Sequence, residues 1–149
     1  MTEYLETQVD KFTFKVEKDR FYTTFGVWAL LYGGTARIGL SDYLQQTSGD
    51  IAFADIQPAG TVLGTGEACA SIETIKVDLE ILSPLAGKIL RVNPSLEMTP
   101  EVINEDPYGQ GWLCEIEPSD WENDLANLLA PEAYFEIMKN QAEEELKKK

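Results

Sequence analysis

Apolar and polar residues alternate through Lys11-Phe12-Thr13-Phe14-Lys15-Val16, which reads as a strand with Phe12, Phe14 and Val16 on one face. The polar residues 1–10 before it are expected to be loose. Phe21 to Tyr32 is aromatic and apolar, interrupted at Gly26, and Gly33-Gly34 supplies a tight turn into a return strand, Thr35 to Leu40. Ser41-Asp42 reads as the start of a two-turn helix that Gly49 stops. Strands follow at Asp50–Ile56, Thr61–Leu63, Glu67–Glu73, Val77–Leu82 and Gly87–Asn93, parted by Gly- and Pro-containing turns. Glu101–Glu105 forms one helical turn, and Trp112–Glu117 is the last strand. Beyond Pro118 the pattern turns helical. Ser119 with Glu122 reads as a capping box, with Leu125, Leu128 and Leu129 on one face. Pro131 starts a second helix with Tyr134, Phe135, Ile137 and Met138 as its apolar surface, and Lys147–Lys149 suit its negative end. Short strands at close spacing predict a mainly β barrel or sandwich with helices at its edge and end. The strand–turn–strand pattern echoes on either side of Lys76, which suggests a two-fold-like arrangement.

The stretch Ser71-Ile72-Glu73-Thr74-Ile75-Lys76-Val77 gives this pattern its chemical interest. Its alternation ends at Glu73, where a turn begins, and Lys76 falls at or near the tip. A second turn, Pro84-Leu85-Ala86-Gly87, opens shortly afterwards. A lysine held out on a hairpin can be reached by an enzyme and acylated, which makes it an anchor for a cofactor. The plain alternative is a surface lysine on an ordinary hairpin.

Length and charge narrow the field. A chain of 149 residues is expected to form one domain, with a core at about 11–118 and helices at about 119–147. The apolar share of 44% suffices for a real core. Twenty-six acidic residues against 12 basic ones give a net charge of −14. Such a surface repels phosphate backbones and anionic lipid, so nucleic-acid and membrane partners are not expected. It suits docking to basic patches on partner enzymes, though for the charge alone plain solubility is the better explanation. The absence of His removes the commonest general base and metal ligand, and no metal site is expected. Two cysteines make no disulfide framework, and the N-terminus lacks the regions of a signal peptide. The expected location is cytoplasmic.

Glu73-Thr74-Ile75-Lys76 followed by Ser83-Pro84-Leu85-Ala86-Gly87 resembles the lipoyl-attachment site of the glycine cleavage system H-protein family. Asn104-Glu105-Asp106-Pro107-Tyr108-Gly109-Gln110-Gly111-Trp112 resembles that family's most specific signature, which lipoyl and biotin domains outside it lack. Ile38–Tyr43, Gly49-Asp50-Ile51 and the Gly60 turn match too, so the likeness runs from about Phe21 to Phe135. It implies the H-protein fold, a lipoyl-type barrel-sandwich hybrid with a short edge helix and C-terminal helices. It also implies a carrier rather than an enzyme, with lipoic acid amide-linked to Lys76. Glu73 and Gly87 stand where the family is read by lipoylating enzymes. The implied partners are a lipoate-protein ligase or lipoyl transferase, a dihydrolipoamide dehydrogenase-type enzyme, and the glycine cleavage P and T proteins. A monomer serves such a carrier best.

Two features depart from the family. Gly26 replaces the His of a His-Glu-Trp run, and Cys69 and Cys114 stand where apolar residues are usual. Both bring the chain towards the H-like lipoate-binding proteins of microbial sulfur oxidation, which work with a heterodisulfide-reductase-like complex. That pathway is the favoured expectation here, with glycine cleavage as the alternative. Cys114 shares a face with Trp112 and Ile116 and reads as a buried structural residue. Cys69 shares a face with Glu67, Ser71 and Glu73, reads as solvent-facing, and is a candidate redox residue. From another class, the chain could be an interaction module that keeps the fold without the cofactor.

Overall fold

The computed structural model describes residues 3–148; Met1, Thr2 and Lys149, the ends of the expected loose N-terminus and basic helix end, lie outside it. Tyr4–Val9 (β1) is a strand, not a loose segment, and pairs antiparallel with Phe12–Glu17 (β2). Leu5 and Val9 alternate with polar neighbours, and both pack on an apolar cluster. The connecting turn puts Asp10 at φ +57°, a conformation that Asp tolerates better than most residues.

Two further sheets form the body. Phe21–Tyr22 (β3), Val27–Tyr32 (β4) and Thr35–Leu40 (β5) follow the expected hairpin, with positive φ at both Gly33 and Gly34. They join Val62–Leu63 (β7), Gly87–Val92 (β10) and Cys114–Pro118 (β11) in a six-stranded sheet ordered β3-β4-β5-β11-β10-β7. A three-stranded sheet holds Ile51–Ile56 (β6), Ala68–Thr74 (β8) and Asp78–Leu82 (β9), with β8 in the centre. The main core contains Ile38, Leu40, Ile72, Ile81, Ile89 and Ile116, drawn from both sheets. This is the mainly β sandwich that the alternation predicts.

Helix α1, Asp42–Ser48, begins where Ser41 Oγ accepts from the Leu44 amide at 3.2 Å and ends at Gly49. Helix α2, Val102–Glu105, is one turn. Beyond β11 the expected capping box does not form. Ser119 lies in the bend after β11, its amide donating to the Ala86 carbonyl at 3.0 Å, and Asp120 caps α3, Trp121–Leu125. That helix stops short of Leu129, which instead exchanges two backbone hydrogen bonds with Tyr22. Helix α4, Pro131–Lys147, starts at the expected proline and buries Tyr134 and Met138 beside Trp28 and Phe14 in a second cluster.

The six-stranded sheet carries a cross-strand charge tie. Glu115 on β11 meets Arg37 of β5 at 3.0 Å and Arg91 of β10 at 3.1 Å, and accepts from Tyr32 Oη at 2.6 Å. Both guanidiniums lie over the Trp112 ring, at 4.5 and 5.0 Å. Partial burial disfavours the carboxylate, but Tyr32 and the two arginines outweigh it and hold its pKa below the usual 4.5. A pKa that falls on folding contributes stability above the unfolded-state value, and the contribution is lost as pH drops through the lower folded-state value. Glu115→Gln should therefore lose less melting temperature than the parent between about pH 6 and about pH 3. Equal losses in thermal scans would count against the tie.

Candidate functional site

The hairpin β8–β9 pairs Glu73 with Asp78, which leaves Thr74-Ile75-Lys76-Val77 as its tip. The Thr74 amide donates to the Val77 carbonyl at 2.8 Å. Thr74 Oγ1 accepts from the amides of Lys76 (3.1 Å) and Val77 (2.8 Å) and donates to the Val77 carbonyl (2.8 Å). One hydroxyl thus ties the turn from inside. Nothing in the alternation pattern marks Thr74; only its place two residues before the tip hints at this role.

Lys76 is exposed, and it has no salt-bridge partner among the described residues. Its Nζ lies 3.5 Å from the Thr47 carbonyl oxygen at the end of α1. Close by, the Ile75 amide donates to the Asp50 carbonyl at 3.3 Å. A Cβ on Gly49 would stand 3.7 Å from Lys76 Cβ. The tip therefore leans on the Gly49–Asp50 corner.

Asn104 holds that corner. Its Oδ1 accepts from the Ile51 amide at 2.8 Å, and its Nδ2 donates to the Gly49 carbonyl at 3.1 Å and to Gln45 Oε1 at 3.0 Å. The rest of the Asn104–Trp112 run is explained by its neighbours. Asp106 Oδ2 accepts from the Gln110 amide at 2.9 Å. A Cβ on Gly111 would meet the carbonyl oxygens of Val102 and Asp106 at 2.7 and 2.8 Å. Tyr108 Oη donates to the Lys15 carbonyl at 2.7 Å and accepts from the Asp42 amide at 3.2 Å, joining β2 to α1. Trp28 Nε1 donates to the carbonyls of Leu40 (2.9 Å) and Pro107 (3.2 Å). The family-like run is thus a clamp behind the tip.

Glu73 is exposed on the outer face of its sheet, opposite Asp78. Gly87 is buried, and a Cβ there would come 2.2 Å from the Glu117 carbonyl oxygen and 2.7 Å from Ile116 Cγ2. Any larger residue would push β10 off β11. Asp124 supports the turn before it, accepting from the Ala86 amide at 2.9 Å and from Thr65 Oγ1 at 2.6 Å.

Cys69 is not solvent-facing. Ala68 pairs with Leu82 but Ala70 pairs with Ile81, so Cys69 is the extra residue of a β-bulge. The bulge breaks the alternation and turns the thiol into the core, fully buried beside Cys114. The hydrogen bond between the two thiols, together with burial, holds the Cys114 pKa well above the ordinary thiol range. Both cysteines are free. Gly26 has an equally local cause. Its φ is +90°, and a Cβ would fall 2.7 Å from both Ser41 Oγ and Tyr134 Oη, which are hydrogen-bonded to each other at 2.9 Å. No imidazole fits there. Among the described residues no helix is long and apolar enough to cross a membrane, and no cluster of ligating side chains suits a metal.

The glycine cleavage H-protein family model matches residues 20–141. A glycine cleavage system H protein of Thermus thermophilus is 42% identical over 127 residues, covering 85% of this chain and 98% of the relative. A probable glycine cleavage system H protein of Aeropyrum pernix is 37% identical over 139 residues, 93% of this chain and 96% of the relative. The crystal structure of a glycine cleavage system H protein from Mycobacterium marinum superposes with a TM-score of 0.71 at 29% identity. It covers 78% of this chain and 94% of its own.

Two outcomes check this site. Asn104→Ala leaves the Ile51 amide and Gly49 carbonyl short of a partner, which should cost about 1–3 kcal/mol in denaturant unfolding. Faster hydrogen exchange at the Ile51 amide should accompany it, and unchanged exchange would refute the anchoring role. A water-soluble thiol reagent should modify neither cysteine in the native protein and both after unfolding. Rapid native-state reaction at Cys69 would show that the bulge does not bury it.

Proposed function

The chain belongs to the glycine cleavage H-protein family, and from that premise we propose that it is the lipoylated carrier of a glycine cleavage system, with Lys76 as the attachment residue. The observation that carries the assignment is the free, exposed Lys76 amine on a turn braced by Thr74 and by the Asn104 corner. Such an amine can be acylated without breaking an ion pair. Rigidity at the base and freedom at the end suit a tethered cofactor. Tethering lifts effective concentration to about the millimolar range, so transfer need not wait for diffusion.

Bound lipoate would supply a dithiolane that accepts and releases a one-carbon amine unit and two electrons. The protein's own part is display and recognition. Glu73 offers a lipoylating enzyme a carboxylate beside the lysine. Its place opposite Asp78 sets like charges against each other, an arrangement unfavourable in the free protein that a basic partner surface would relieve. Gly87, being buried, acts through shape, letting β10 lie close against β11. The net charge of −14 suits short visits to basic faces of a glycine decarboxylase, a folate-dependent aminomethyltransferase, a dihydrolipoamide dehydrogenase and a lipoate-protein ligase.

The names of the relatives support glycine cleavage over sulfur oxidation. The features that favoured a heterodisulfide-reductase-like partner have structural explanations instead. Cys69 is packed in the core, and Gly26 makes room for the Ser41–Tyr134 hydrogen bond.

With lipoate-protein ligase, ATP and lipoate, the protein should gain one lipoyl group by intact mass, and Lys76→Arg should gain none. The lipoylated form should then support glycine-dependent CO₂ release by a glycine decarboxylase, at least a hundredfold above the unmodified form. No lipoyl group on the parent protein would favour a pure interaction module. Lipoylation without loading by the decarboxylase would return the assignment to sulfur oxidation.

A further inference from the structure

We propose that the outer edge of β6 is a docking seat for an extended segment of a partner protein, one that alternates apolar and basic side chains and joins the sheet as an added strand. The sheet order is β6-β8-β9, so β6 has a neighbour on one side only. Its ladder fixes which main-chain groups face outwards. The Gln57 amide donates to the Cys69 carbonyl at 2.9 Å. Counting back by twos along the register, Asp55 and Phe53 also turn their main chain towards β8, opposite Ser71 and Glu73. The N–H and C=O groups of Ala54 and Ile56 therefore point away from the sheet. Among the described residues no strand or turn bonds to them.

Such an edge is commonly blunted by lysine, proline or a covering loop. Ile51–Ile56 contains neither residue, and the loop that could cover it stands off. Between β6 and residues 92–101 lies a groove of about 780 Å³. Val92 and Leu96 of the main core line it. Phe53 and Met98, also in the lining, are 55% and 84% exposed. Free main-chain groups beside uncovered apolar side chains are what a strand-adding segment needs.

Charge selects the occupant. The lining holds three acidic residues, Asp55, Glu97 and Glu101, and no basic one. None of the three has an ion-pair partner among the described residues. A second copy of this chain would bring the same carboxylates, within a net charge of −14, against them. A segment with lysine or arginine at alternate positions would neutralise them instead. An added strand sends alternate side chains to opposite faces of the sheet. One set falls on the side of Ala54 and Ile56, which pack against the core, and suits apolar residues. The other stands beside the exposed Phe53 and Asp55 and suits basic ones. The seat begins next to the lysine turn, since Ile51 pairs with Thr74, yet Lys76 does not line the groove. A partner held there grips the lysine-bearing sheet without covering the amine.

The probe is a synthetic peptide with blocked ends, Gly-Val-Lys-Val-Arg-Val-Lys-Val-Gly, titrated calorimetrically against the full-length protein at low salt. The expected Kd is about 10–100 µM. Two N-methylated versions separate edge pairing from plain charge attraction, because methylating alternate amides blocks one edge of the peptide at a time. One version should lose about tenfold in affinity and the other less than about threefold. Ala54→Pro removes an outward N–H, a change that edge strands tolerate, and should weaken binding about tenfold. Glu97→Lys, exposed at the groove, should weaken it about fivefold, and it keeps the test valid if the proline variant does not fold. Glu143→Lys, exposed on α4, should change Kd by less than about twofold. No binding by the parent protein, equal affinity of the two methylated peptides, undiminished binding in Glu97→Lys, or an equal loss in Glu143→Lys would overturn the proposal. So would a dimer in sedimentation velocity that Ala54→Pro dissolves, which would give the edge to a second copy. None of these outcomes touches the carrier assignment, which is read from the lipoyl mass on Lys76.

Discussion

One amide side chain fixes the corner against which the lysine turn leans. Asn104 satisfies the Ile51 N–H and the Gly49 C=O, groups left over where α1 stops and β6 starts. Those two elements meet at a sharp bend with no ladder to pair them. Without a partner from outside, the bend would shed its orientation, and Lys76 would lose the surface behind it. The partner arrives from more than fifty residues away, on a one-turn helix that the Gly111 backbone packs beneath. A local turn thus owes its position to a long-range hydrogen bond, which loop-closure entropy makes slow to form and cooperative once formed.

Most of the architecture was legible because alternation survives wherever a strand has one wet and one dry face. The lysine at the tip, the Gly33-Gly34 turn, α1 between Ser41 and Gly49, and the proline start of α4 all followed from local rules. The misreadings share a cause: each was decided by pairing across the fold. Tyr4–Val9 is a strand because β2 and α4 cover it, although half of its residues are polar. Ser119 is tied to Ala86 in the bend after β11, and the helix starts one residue later, capped by the Asp120 side chain. Cys69 was assigned to the wrong face because a period of two cannot anticipate a bulge. At the site, Lys76 and Glu73 stood out in sequence, whereas Thr74 and Asn104 act through backbone groups that no pattern reports.

A carrier asks less of its side chains than a catalyst does, and the molecule reflects this. Its polar interior is given to holding backbone. Ser41, Asn93 and Asp124 are all buried, and each bonds to main-chain groups. The aromatic layer of Tyr22, Trp28, Tyr108 and Tyr134 locks the two chain ends onto the sandwich, with Tyr22 and Tyr134 stacked 4.6 Å apart. The packing around α1 is firm as a result, and Lys76 stands exposed at the tip beyond it.

The bulge at Cys69 has a consequence for how this hairpin can change over time. Downstream of it, inward and outward positions are counted afresh, so the distance from the bulge to the turn must keep its parity. Adding or removing a single residue between Ala70 and Thr74 would swap Ile72 with its charged neighbour and turn the amine towards the core. Exchanges of one side chain for another are open to drift there, while changes of length are closed, unless they come in pairs.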